Sequence, residues 1–226
     1  MGKKAENIMI PENEVCIRVA TQEDVEQIVR VHELSFPDYF LTNMGWGVLR
    51  RYYTTYVTHP DAAAAVITVS GEVCAFIVGT YRAASMIKAF YRSNFVFVFM
   101  AVLWKIVTLN PVILRGLSTR LCHLGIAVKA YFSLAGDAAC QSPATQPGKE
   151  KKSGRAVAAA TLPDYRGKDI SSRLFSYFEQ LLKEHGSDEV ILSVNADNAR
   201  AIRFYEKNGW KLLKDKGSEL SFVKSL

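Results

Sequence analysis

Hydrophobic and polar positions repeat with two periods along this chain, and the switches between the periods mark its elements. Short runs of small, β-branched and aromatic residues predict strands at 15–20, 64–70, 72–81, 156–162 and 189–194. Val25, Ile28, Val29, Val31 and Leu34 fall mainly on one helical face, which predicts a helix over 22–35. Thr21 with Asp24 supplies its N-terminal cap and an acidic first turn. A second helix, rich in aromatics, is predicted over 43–58 and closed by His59-Pro60-Asp61. Two further helices follow at 170–185 and 198–208, the last stopped by Gly209. Ser70-Gly71-Glu72 reads as a tight hairpin turn, and 210–213 with 218–223 as a closing hairpin. After a polar lead-in over 1–13, the order is β-α-α-β-β-insertion-β-α-β-α-β-β, which predicts one α/β domain spanning 1–226.

The insertion, 83–135, changes the picture. It holds the bases Lys88, Arg92, Lys105, Arg115, Arg120 and Lys129, no Asp or Glu, and the apolar run Phe95 to Trp104. That run is too short for a membrane span, which needs about 20 apolar residues. Pro111 breaks the stretch, so two or more helices are expected. Three roles stay open: a helical contact with protein, including a second copy of the chain; an element lying at an anionic membrane surface; and a pocket for an acceptor with an apolar tail. Residues 136–155, with Ser, Pro, Gly, Gln and four bases, read as a flexible connection.

A hydrophobic fraction of 49% supports a sizeable core, and a net charge of +6 points to an anionic partner. The four cysteines have no metal-ligand spacing, and no metal is expected; Cys16 and Cys74, in apolar strands, read as reduced core residues of a reducing cytosol. The start of the chain does not resemble a secretory signal. No interleaved basic and aromatic stripe is present, so nucleic acid is not an expected partner.

Candidate chemistry concentrates at the strand-to-helix turn from Thr161 to Ser172. Pro163 ends the strand, and Arg166-Gly167-Lys168 precedes the helix at Ile170. A helix N-terminus offers unpaired N–H groups and partial positive charge, a ready seat for phosphate. The two cations add charge, and Gly167 lets a ligand approach the backbone.

The segment Asn198-Ala199-Arg200-Ala201-Ile202-Arg203-Phe204-Tyr205-Glu206-Lys207-Asn208-Gly209-Trp210 resembles the Asn-x-x-Ala-x-x-Phe-Tyr-x-x-x-Gly-aromatic signature of the GNAT superfamily of acyl-CoA-dependent N-acyltransferases. The turn at 161–172 is similar to that family's Arg/Gln-x-x-Gly-x-Gly/Ala cofactor loop. The likeness covers 15–81 loosely and 156–222 well. It implies a central mixed, mostly antiparallel sheet flanked by helices, with acetyl-CoA as cosubstrate entering between two splayed strands. Backbone near Thr161 and Leu162 would pair with the cofactor arm. The loop Arg166, Gly167, Lys168, Asp169, Ile170 and Ser171 would hold the pyrophosphate, and Asn198 would touch the arm. Tyr205 would protonate the departing thiolate, a role a phenol with a pKa of about 10 suits; a core aromatic is the other reading. Asp169 and Ser171 stand where the family has small loop residues. Asp169 brings a negative charge toward a pyrophosphate, or caps the helix and points away, and weaker CoA binding is expected. The insertion and the stretch 36–45 also resemble bacterial members associated with surface polysaccharide synthesis, which implies an amino-sugar acceptor.

No carboxylate lies on the strand 156–160, where many members carry a general base. His32, Glu33, Asp38 and His59 are the remaining candidates, each also readable as a surface or capping residue, and none is selected. The expected function is transfer of an acetyl group to a primary amine by direct attack in a ternary complex. The alternative is a non-catalytic module binding membrane or protein. The expected location is cytoplasmic, with the inner membrane face open through the insertion.

Overall fold

A computed structural model describes residues 14–82 and 152–226, together with Met86, Phe90, Ser93, Asn94, Phe97, Val98 and residues 100–102 of the insertion. The chain begins with β1 (Val15–Val19), a 3-10 turn (Gln22–Asp24), α1 (Val25–Ser35), α2 (Phe40–Asn43) and α3 (Trp46–Thr58). Strands β2 (Ala62–Val69) and β3 (Glu72–Thr80) precede the insertion. After it come β4 (Ser153–Thr161), a 3-10 turn (Pro163–Tyr165), α4 (Ile170–Glu184), β5 (Glu189–Asn195), α5 (Ala199–Lys207), β6 (Lys211–Asp215) and β7 (Glu219–Ser225).

These strands form one seven-stranded sheet in the order β1-β2-β3-β4-β5-β7-β6. Every neighbouring pair is antiparallel except β4 with β5. The mixed, mostly antiparallel sheet and its flanking helices agree with the expected α/β class. The one-turn helix α2 escapes the periodicity argument, because four residues cannot display a 3.6-residue repeat. The expected connection at 136–155 ends early, since β4 starts at Ser153.

Strand alternation builds a core on each face. In β2, Ala63, Ala65 and Ile67 face the layer of α4, while Ala64 and Val66 face α1 and α3. Ile170, Leu174, Phe175, Phe178 and Leu182 form one buried stripe of α4, each worth about 1.5–3 kcal/mol of apolar burial. Thr21 and Asp24 cap as expected, with the Thr21 N–H donating to Asp24 Oδ2 at 2.7 Å. Ser70 and Gly71 adopt positive φ in the β2–β3 turn, the geometry a two-residue hairpin requires. Cys74 is buried as expected, but Cys16 is exposed, because β1 is an edge strand.

Of the insertion, Val98, Ala101 and Val102 pack against Met44, which caps the end of α2, and Val48 in the first turn of α3. The Arg51 guanidinium lies 4.2 Å from the centre of the Phe97 ring. The described insertion residues from Met86 onward are helical; the remaining expectations for 83–151 fall outside the described residues. Among the described residues no helix is long and apolar enough to cross a membrane.

Candidate functional site

β4 and β5 pair only from Ser153↔Glu189 to Arg155↔Ile191. Beyond that point they part. The cause lies on the other edge of β4, where its register with β3 shifts between Gly79↔Ala156 and Val78↔Ala158. Val157 is the extra residue, and a bulge of this kind bends its strand. The bulge also resets side-chain alternation: Ala156 faces the α4 layer, whereas Ala158 and Ala160 face α1 and α3. Gly79 makes the bend possible, since a Cβ there would collide with the Arg155 carbonyl oxygen and the Phe178 ring.

A cleft of about 560 Å³ fills the gap. Its floor is β4 from Ala156 to Thr161 and β5 from Leu192 to Asn195. Ser171, Phe175, Phe204 and Tyr205 wall it on the α4–α5 side, and His32, Ser35, Phe36, Tyr39 and Tyr52 on the α1–α3 side. The cleft therefore passes through the sheet. Along it, the edge of β4 past Arg155 has no partner strand, leaving backbone N–H and C=O groups ready to pair with an amide-bearing ligand.

At the α4 end, the backbone N–H groups of Gly167, Asp169, Ile170, Ser171 and Ser172 donate to no acceptor among the described residues. Arg166, Gly167 and Ser171 line the cleft. Arg166 Nε donates to the Thr161 carbonyl at 2.9 Å, and the Thr161 and Ser171 hydroxyls meet at 2.9 Å. Arg200 joins them from the first turn of α5. Partial burial, and then the charge of Arg200, pull the Arg166 pKa down. Among the described residues no carboxylate offsets either guanidinium. Two cations facing a fan of N–H groups at the head of a long helix suit a polyanion.

The remaining sequence-selected residues divide. Lys168, Asp169 and Ile170 lie outside the cleft lining: Lys168 Nζ sits 5.8 Å from the Tyr165 ring centre, and Ile170 is a core residue. Asp169 is exposed at the N-cap of α4 with φ +61° and makes no capping bond. Leu162 is also outside, its N–H taken by the Cys74 carbonyl; the open ladder lies upstream, from Ala156. Asn198 lines the cleft while its Oδ1 caps α5 by accepting from the Ala201 N–H at 3.2 Å.

Tyr205 packs in a cage of Phe175, Phe204, Trp210 and Phe222. Burial, and then the neighbouring Tyr39 phenol, push its pKa up to about 12. Its hydroxyl makes no hydrogen bond among the described residues. Tyr39 reaches over from the α1 side and accepts from Asn195 Nδ2 at 3.3 Å.

His32 is not the surface or capping residue expected. It is buried and lines the cleft. Thr42 Oγ1 donates to the Phe36 carbonyl at 2.6 Å, so toward His32 Nε2, at 3.1 Å, it can only accept. His32 therefore carries its proton on Nε2, and Nδ1 accepts from the Tyr53 hydroxyl at 2.6 Å. Burial lowers its pKa to about 4. Both nitrogens are committed, so His32 is a positioned neutral donor rather than a free base. Glu33, Asp38 and His59 do not line the cleft, and His59 Nδ1 accepts from the Asp61 N–H. The sequence reading missed Arg200, Tyr39 and Glu219 as cleft residues. Arg200 stood inside the quoted motif, two residues past the Asn198 cap, where a side chain is carried beside the helix N-terminus.

Comparison with known proteins agrees with this geometry. Residues 139–210 match the acetyltransferase (GNAT) family. The PaiA N-acetyltransferase of Thermoplasma acidophilum, solved in complex with coenzyme A, superposes with a TM-score of 0.55 at 15% identity, covering 94% of this chain and 99% of that one. SsHAT gives 0.59 at 16%, covering 94% and 98%. The ribosomal-protein-S18-alanine N-acetyltransferase of Escherichia coli gives 0.51 at 13%, covering 94% and 92%. At these identities the likeness speaks for the fold. The split parallel pair gives this chain the fold of these N-acetyltransferases, and its segment 139–210 is similar to the GNAT acetyltransferase family.

Proposed function

We propose that the protein transfers an acetyl group from acetyl-CoA to a primary amine by direct attack within one ternary complex. The observation that carries this reading is the through-sheet cleft, with cations and free N–H groups at one end and an unbonded phenol in its wall. The cofactor's phosphates would lie against Arg166, Arg200 and the N–H groups of Gly167, Asp169, Ile170, Ser171 and Ser172. Its amide arm would pair with β4 between Ala156 and Thr161, near Asn198. The side chains of Lys168 and Asp169 would act through charge rather than contact, and those of Leu162 and Ile170 by shaping the turn.

Tyr205 acts at the leaving sulfur. An acceptor R–NH3⁺ first loses one proton to water. Its nitrogen then bonds to the thioester carbonyl carbon as the C–S bond breaks. Tyr205 gives its proton to the sulfur as it takes the second proton shed by nitrogen, so the products are the amide, the free thiol and one released proton. A phenol with a pKa near 12 cannot rest as phenolate beside a thiol with a pKa of about 8.5; the two transfers are therefore coupled.

Thiol release from acetyl-CoA, measured against ethanolamine, glucosamine, spermidine and an Ala-started tripeptide, tests the proposal. Turnover with at least one amine is expected, and Tyr205→Phe should lower kcat about 100-fold with the CoA Kd unchanged. CoA binding without turnover would favour the non-catalytic module instead. An amino-sugar acceptor predicts glucosamine as the best of the panel. Membrane or self-association through 83–135 remains a separate proposal, tested by co-sedimentation with anionic vesicles.

A further inference from the structure

The charged groups of the cleft are segregated, and the separation identifies where the acceptor's charge sits. Arg166 and Arg200 stand at the end formed by α4 and α5. Glu219 is the sole carboxylate among the described lining residues. It begins β7 opposite Asn195 of β5. The Ser193–Ser221 hydroxyl contact at 3.3 Å places Ser193, Asn195, Glu219 and Ser221 on one face of the sheet. That face is opposite the α4–α5 core built by Val190, Leu192, Val194 and Phe222, and it is the face on which Asn195 meets Tyr39.

From this arrangement we infer that Glu219 binds the ammonium group of the acceptor, which enters on the Tyr39 side of the sheet. The assignment rests on the acetyl-transfer reading and extends it to the acceptor's charge.

Three observations support it. First, Glu219 stays ionised: burial works against the carboxylate, but Lys216, the Ser193 hydroxyl and Arg155 outweigh it and hold its pKa down. Second, its present partner is weak. Lys216 Nζ contacts Oε1 at 3.0 Å, with both side chains more than 40% exposed, and exposed pairs of this kind exchange readily. Lys216 therefore behaves as a competing cation that an incoming ammonium displaces. Third, Ser35 Oγ, in the α1 wall of the same cleft, is buried and bonds to nothing among the described residues. A buried hydroxyl without a partner is costly, and a polar acceptor entering from this side would satisfy it.

The test uses the panel amine with the highest wild-type turnover and measures kcat, amine KM and CoA Kd for Glu219→Gln and Lys216→Met. Glu219→Gln should raise KM by about tenfold or more, the range of a lost charge-assisted hydrogen bond, with CoA Kd within twofold of wild type. Lys216→Met should lower KM by about two- to threefold by removing the competitor, an effect no structural role of Glu219 produces. Should Glu219→Gln fail to fold, as an absent CoA isotherm would reveal, Lys216→Met decides alone. An active wild type with KM unmoved in Glu219→Gln, or raised in Lys216→Met, overturns the Glu219 assignment only. A wild type that turns over none of the amines overturns the acetyl-transfer reading and this assignment with it.

Discussion

Asp169 sets a measurable limit on cofactor affinity. Its φ of +61° is a conformation that costs an L-residue about 1–2 kcal/mol, less for Asp and Asn than for others. Its carboxylate sits at the head of α4 without bonding to the N–H groups there. In the free protein that charge favours the helix dipole by about 0.3–1 kcal/mol; with a pyrophosphate in place the same charge repels it. Asp169→Asn removes the charge and keeps a side chain that tolerates this backbone. Asp169→Gly removes the charge and the strain together. Calorimetric titration with CoA at low salt should give Kd lower by about two- to fivefold for both variants, because the strain that Gly relieves is present in free and bound protein alike and drops out of Kd. The charge component should shrink in 0.5 M salt, where screening shortens its reach to a few ångströms. Thermal melts of the free proteins should show Asp169→Asn slightly less stable than wild type. If neither variant binds CoA more tightly, the carboxylate does not face the phosphate seat and the reasoning fails.

Three further substitutions probe separate parts of the account. Gly79→Ala should destabilise the fold by about 3 kcal/mol, read from the denaturant midpoint, because a Cβ meets backbone at the bulge; an unchanged midpoint would contradict the close approach. Arg200→Gln should weaken CoA by about tenfold and flatten the salt dependence of Kd, and an effect equal at all salt concentrations would speak against phosphate contact. His32 carries a folded pKa of about 4 against 6.5 unfolded. Since the folded value is depressed, its contribution is full above pH 6.5 and is lost as pH falls toward 4, by at most about 3 kcal/mol. Denaturation across that window should show the loss in wild type and a flatter profile in His32→Gln; parallel profiles would remove His32 as the cause.

The parts of the molecule visible in the sequence are those written in local patterns. The amphipathic stripe of α4, the Ser70-Gly71 hairpin and the Asn198 cap each depend on residues close along the chain. The split between β4 and β5 does not. It depends on Gly79 admitting the Arg155 carbonyl across two strands separated by the whole insertion. Tyr39 and Glu219 gain their meaning from contacts with Asn195, far away in sequence for Tyr39 and across a register for Glu219. His32 looked like a surface residue because its helix face is mixed; only the fold shows that Tyr53 and Thr42 occupy both ring nitrogens. Asp169 was legible as a departure, and its left-handed backbone explains how a non-glycine fits there.

The central claim is that the gap between β4 and β5 is the seat of the cofactor. Backbone hydrogen exchange of the full chain, with and without CoA, tests it most directly. Slowed exchange confined to peptides spanning 156–172 and 192–205 is the predicted result, since these carry the open β4 edge and the N–H groups at the head of α4. Unchanged exchange there, or protection confined to other segments, would contradict the account.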